Sequence, residues 1–269
     1  MHRRGKERPE PSRQLERKFE GWAQRQAKHL EPEPEELLQQ AQDVLRWSIR
    51  KNGPHSTFTI RAMNEVANQL SRLDRVAEEI SLREKIVEGL RSTLGPEHES
   101  TLNAEWKMAT CLMTLERPED AEPLLSHVVR GRAIVLGEDD PQTLAAVAWN
   151  ASAAKKLGKL DEARRMQEQV VMAYERRDES ESAQAQLAAL NLASTLSDLR
   201  QFDEAVRLVR HVVDVRTRTF GPEDPRTLDA CQALASMTSA QRHDVTRDHA
   251  VDHASSPSMP PNELQGETD

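Results

Sequence analysis

Apolar residues recur three and four positions apart along most of this chain, in blocks of several turns separated by short polar breaks. That period is the signature of amphipathic helices. The blocks come in pairs. One helix of each pair, A, is predicted over 57–72, 99–115, 141–157, 183–199 and 225–240. The other, B, is predicted over 34–51, 76–93, 118–135, 160–177 and 202–219. No sustained alternation of β-branched residues marks a strand.

The pairs repeat every 42 residues. Gly53, Gly95, Gly137 and Gly221 share one register, and Pro54, Pro96 and Pro222 follow three of them. Six residues after each glycine comes a threonine and then an aliphatic residue: Thr59-Ile60, Thr101-Leu102, Thr143-Leu144 and Thr227-Leu228. Alanine recurs without a gap at 67, 109, 151, 193 and 235. An apolar pair recurs from Val44-Leu45 through Ile86-Val87, Val128-Val129 and Val170-Val171 to Val212-Val213. Three markers in one phase identify a repeat architecture.

Each marker has a physical reason. Glycine past a helix end can take the left-handed conformation that closes it, and a following proline cannot continue the helix. Asp140-Pro141 and Asp224-Pro225 read as an N-cap with proline in the first helical position. The alanine falls in mid-helix, where a neighbouring helix must come close. The fourth loop, RRDESESAQ, lacks the glycine. A single hairpin cannot bury its own apolar stripe, so the pairs must stack on one another.

The repeats are expected over residues 31–240. Upstream, residues 1–30 form a basic arm in which Leu15, Phe19, Trp22, Ala23, Ala27 and Leu30 lie at helical spacing. This segment reads either as a divergent helix A or as a loosely attached amphipathic arm. The last helix A has no B partner and is expected to cap the array. Residues 241–269 are polar and aperiodic, and are expected to be disordered.

The residues resemble tetratricopeptide repeats, of the 42-residue kind found in kinesin light chains and many bacterial proteins. The stretches that carry the likeness are LGPEHESTL, LGEDDPQTL and FGPEDPRTL, with LDEA at 160–163 and FDEA at 202–205. The resemblance implies an all-α, right-handed superhelical solenoid of helix-turn-helix repeats with a capping helix. It also implies that helices A line a concave, partner-binding surface. Two departures stand out: Glu79 replaces the usual alanine of the Glu-Ala pair, and the helix A asparagine is kept only near Asn191.

Composition narrows the function. Aromatic residues make up 3% of the chain, which suits thin helical layers rather than a thick core around a deep active site. The net charge of −8 argues against nucleic-acid binding, except through the basic arm. Cys111 and Cys231 have no cysteine or histidine nearby at metal-ligand spacing. His249 and His253 could clip a metal only in a helical tail without further ligands. No phosphate-cradling loop, zinc-protease motif or nucleophile elbow occurs, so no catalysis, cofactor or metal is expected. Without an apolar leader or span, a cytoplasmic protein is expected.

Function is therefore expected in a groove. Resemblance to peptide-binding members points to Asn64, Asn68, Trp106, Lys107, Trp149, Ser152 and Asn191, with Lys155 and Lys156 one turn later. A solvent-facing tryptophan supplies large contact area at small entropic cost, and a lysine beside it could pair with a carboxylate of an extended or helical peptide. Trp106 reads equally as a core residue. Lys155 and Lys156 also read as a solvated helix end, and Trp22 and Trp47 read as packing residues. The functional expectation is a non-catalytic scaffold for a protein or peptide partner. The alternative is a regulatory, signal-sensing protein that works with a separate nucleotide-switch or DNA-binding partner.

Overall fold

The computed structural model describes the backbone of residues 33–254 and the side chains through Asp244. Two compact units divide the chain, one ending at Leu115 and the other starting at Glu116. The first holds α1 (Pro34–Asn52), α2 (Thr57–Arg72), α3 (Val76–Leu94) and α4 (Glu99–Thr114). The second holds α5 (Pro118–Leu136), α6 (Pro141–Lys156), α7 (Leu160–Arg176), α8 (Ala183–Asp198), α9 (Phe202–Phe220) and α10 (Pro225–Ala254). No strand occurs among the described residues. The amphipathic segment within 1–30 lies outside them, as do residues 255–269.

The helix ends follow the sequence rules closely. Ser56, His98, Asp140, Ser182 and Asp224 stand 42 residues apart, and each accepts a hydrogen bond from a backbone N–H of the helix it opens. Both predicted Asp-Pro caps are among them. The Arg226 side chain and backbone N–H together hold the Asp224 carboxyl down to about 2. Gly53, Gly95, Gly137 and Gly221 end helices B with φ between 84° and 100° and ψ between 158° and 165°. That region is nearly closed to residues with a Cβ. In two of these loops the threonine six residues on donates back to the glycine carbonyl, Thr59 to Gly53 and Thr101 to Gly95, both at 2.7 Å.

The glycine-less fourth loop finds another stop. Asp178 takes φ 56°, and the N–H of Glu179 bonds the Tyr174 carbonyl at 2.9 Å. This is the six-to-one closure usual at helix ends. It ends α7 at Arg176, two residues short of its register mates. The A-to-B turns use the same device. Asp74, Glu116, Gly158 and Arg200 share one 42-residue register, all with positive φ. Only one is glycine, so this second repeat marker is invisible to a search for glycines.

One helix boundary needs correction. The pattern predicts that the last helix A ends at residue 240, whereas α10 runs on to Ala254. Between Pro225 and Pro257 the chain has neither glycine nor proline, so nothing interrupts the i to i+4 ladder when the apolar periodicity fades.

Within each unit the helices pack on their neighbours in sequence. The cores show why single hairpins do not suffice. One cluster joins Ile60, Met63 and Ala67 of α2, Ile86, Val87 and Leu90 of α3, and Ala104 of α4. Another joins Leu144 and Val147 of α6, Val170, Ala173 and Tyr174 of α7, and Ala185 and Ala188 of α8. Each core needs three consecutive helices. The register alanines Ala67, Ala109, Ala151 and Ala193 are completely buried, whereas Ala235 is exposed. No described helix follows α10 to cover it. We expect Ala151→Arg to cost about 3 kcal/mol or more, through overpacking and an unpaired buried charge. Thermal melting like that of the wild type would contradict the close-contact assignment.

The first unit departs from this apolar register at Glu105, which pairs with Arg91, and again on α3. Glu79 is 2% and Arg83 6% exposed. The Arg83 Nε donates to Glu79 Oε1 at 2.7 Å, and the Cys111 thiol donates to the same oxygen at 3.2 Å. Burial, reinforced by that bond, pushes the Cys111 thiol up to about 11. One repeat on, the same three positions are Ala121, Leu125 and Ala153, all fully buried. Removing one member leaves a buried charge alone, so Arg83→Ala should cost about 3–5 kcal/mol in urea denaturation. The triple change Glu79→Ala, Arg83→Leu and Cys111→Ala copies the apolar version. It should restore or exceed wild-type stability, and failure to do so would show that the pair contributes net stability.

Candidate peptide-binding clefts

Two clefts on the helices A take in most of the sequence-derived candidates. In the first unit a cleft of ≈340 Å³ is lined by Asn64 and Lys107, with Arg61, Asn103 and the apolar Leu90 and Leu94 beside them. Thr57, Arg61 and Asn64 reach it from successive turns of α2, while Ser100, Asn103 and Lys107 do so from α4. The i, i+3, i+4 and i+7 spacing sets these residues on one face of each helix. The Asn64 amide donates to the Ile60 carbonyl of its own helix at 3.1 Å. Arg61 and Lys107 are different: no carboxylate among the described residues pairs with either cation. The cleft therefore presents uncompensated positive charge above an apolar floor.

In the second unit a cleft of ≈390 Å³ is lined by Ser152, Lys155, Lys156, Gln167, Asn191 and Ser194. Its lysines are engaged. Lys155 Nζ donates to Ser194 Oγ at 2.6 Å and lies 3.0 Å from Asp198 Oδ2. Lys156 Nζ lies 2.6 Å from Glu116 Oε2. Both lysines thus tie helix A to neighbouring segments, a role that sequence spacing does not reveal. Similar ties recur one repeat apart between Arg176 and Asp139 at 2.6 Å and between Arg218 and Glu181 at 2.8 Å. Those arginines hold both carboxyls below their usual range.

The tryptophans and Asn68 stand apart from the lining of both clefts. Trp149 is 37% exposed, Trp106 is half-buried, and Asn68 is exposed on the next turn of α2. Trp47 meets Phe58 edge-on at 6.2 Å, and Lys51 lies over its ring at 4.8 Å. Trp22 lies outside the described residues. Arg61, Asn103 and Gln167 were not legible as candidates. The first two lie one helical turn before the expected positions. Gln167 comes from a helix B, and its only signal is a polar residue in the register of Leu125 and Val209.

With this geometry in hand, comparison with known proteins is informative. Residues 187–226 match the tetratricopeptide repeat family. That segment carries a tetratricopeptide repeat. Two solved structures of nearly identical TPR-like repeats, from a kinesin-light-chain-type protein of Podosopora anserina, resemble this array. One, a substituted variant, is 24% identical with a TM-score of 0.66, covering 79% of this chain and 99% of its own. The unsubstituted protein is 27% identical with a TM-score of 0.62, covering 74% and 97%. BtubC (BKLC) from P. vanneervenii shares the fold at 14% identity and a TM-score of 0.62, covering 89% and 99%. No curated protein sequence matches this chain.

The tetratricopeptide solenoid is thus the fold of this chain, and such arrays generally serve as protein-interaction scaffolds. No helix among the described residues is long and apolar enough to cross a membrane. Among them there is also no cluster of histidine, cysteine or acidic side chains that could hold a metal ion. As an exposed aromatic on a helix A, Trp149 lends itself to a direct test. Trp149→Ala should leave the thermal midpoint nearly unchanged and weaken partner binding by about 2 kcal/mol. A mutant that melts early yet binds normally when folded would place Trp149 in the packing instead.

Proposed function

We propose that this chain is a non-catalytic, peptide-binding scaffold that captures an acidic segment of a protein partner along its helices A. The observation that carries the reading is the pair of unpaired cations, Arg61 and Lys107, around the first-unit cleft. Elsewhere the chain is acidic overall, with a net charge of −8, and many of its basic side chains are matched to carboxylates. Two unmatched cations beside polar amides and exposed leucine surface favour a partner with carboxylates next to apolar side chains. Helix A supplies the polar contacts from a preformed face, so little ordering entropy is lost on binding. The uncompensated charge also speeds encounter with an acidic segment.

The test is a fluorescence-polarisation screen of acidic and charge-neutral peptides against the full chain. Peptides that bind should lose about tenfold or more in affinity in the double variant Arg61→Glu, Lys107→Glu, and should bind more weakly as salt rises. The variant's helical circular dichroism should match that of the wild type, because both residues lie at the surface. Affinity insensitive to both the charge reversal and salt would overturn the proposal.

A further inference from the structure

Gln167 is the one residue of the second-unit cleft that is both nearly fully buried and unsatisfied. It is 4% exposed, and its Oε1 has no hydrogen-bond partner among the described residues. It lines the cleft together with Ser152, Lys155, Lys156, Asn191 and Ser194. Its register mates dispense with such a group. Leu125 and Val209 are apolar and fully buried, and Arg83 is paired with Glu79. An apolar side chain therefore fits this position, and a buried carbonyl with nothing to accept is costly. Packing alone does not account for glutamine here.

The charges around Gln167 restrict what could fill the cleft. Lys155 is matched to Asp198 and Lys156 to Glu116, so the two ammonium groups are already neutralised. Unlike the first-unit cleft, this one does not call for an anion. It calls for a neutral N–H donor. Asn191, half-buried on the same wall, brings a carboxamide that can donate to a carbonyl. Ser152 donates its own hydroxyl hydrogen to the Ala148 carbonyl at 3.0 Å, which leaves its lone pairs as acceptors. Gln167 can accept and Asn191 can donate, which matches the two polar groups of an amide. The volume, ≈390 Å³, falls in the range of small-ligand sites.

We propose that this cleft is a neutral-amide recognition site, in which Gln167 accepts a hydrogen bond from a backbone or carboxamide N–H of a bound peptide. The inference rests on the scaffold reading and deepens it. The first-unit cleft would bind by charge at Arg61 and Lys107, and this cleft would bind an uncharged amide at Gln167.

The experiment uses the full chain labelled with nitrogen-15 and two capped tripeptides, acetyl-Gly-Asn-Gly-amide and acetyl-Gly-Asp-Gly-amide. The expected result is a saturable shift of the Gln167 side-chain amide resonance with the asparagine peptide and a weaker one with the aspartate peptide. Gln167→Leu should then reduce the peptide-induced shift at Asn191 about tenfold or more, while its melting temperature stays level or rises. Four results would each overturn the proposal: no saturable shift at Gln167, a response to the aspartate peptide alone, unchanged binding in Gln167→Leu, or a clear drop in that variant's melting temperature. Acidic-peptide binding at the first-unit cleft is measured on the same samples. If it persists while Gln167 stays silent, the amide site falls and the scaffold reading stands; if both are lost, the scaffold reading falls too.

Discussion

A neighbouring helix can come close where a helix carries only a methyl group, and a fully buried alanine recurs at one register position in four successive helices A. Ala67, Ala109, Ala151 and Ala193 have no accessible surface left. A small residue there brings the helix axes together, so thin side chains can fill the space between layers. The chain can therefore build its cores with few aromatics, from Ala, Val and Leu drawn from three helices at a time. Ala235 shows the same rule from the other side. It keeps the register but remains exposed, since no described helix lies over it.

Against this apolar register stand polar exceptions of two kinds. Glu79 and Arg83 interrupt it but satisfy each other, and Cys111 adds a third member. Such a group satisfies itself between adjacent helices without needing anything from solvent. Gln167 interrupts the register without satisfaction, in the wall of an open cleft. The distinction between the two cases is chemical: one has its partners within the chain, and the other does not.

The surface charges divide in the same way. Lys155, Lys156, Lys159, Arg176 and Arg218 tie consecutive segments together through carboxylates. Each exposed pair contributes little to stability, because water and salt screen it. Their greater effect is to remove those cations from the set available to a partner. Arg61 and Lys107 are not among them, and both line one cleft. A chain of net negative charge thereby presents one cleft lined by two unmatched cations.

Nearly all of the helical framework was legible in the sequence, because it depends on local rules. Capping side chains act within three residues, glycine φ values depend on the absent Cβ, and helical periodicity needs no knowledge of neighbours. Hence Asp140, Asp224, Gly53 and the buried alanines are placed as their spacing implies. The end of α10 was less legible, because the apolar pattern stops before any helix-breaking residue appears. Among the residues that line the two clefts, Asn64, Lys107, Ser152, Lys156 and Asn191 share the helix A face that their spacing implies. Spacing does not decide which cation finds a carboxylate some 40 residues away, as Lys156 does at Glu116, nor that Gln167 of a helix B reaches a cleft formed with helices A. Those outcomes depend on distances between segments far apart in the chain, and only the packed tertiary structure sets them.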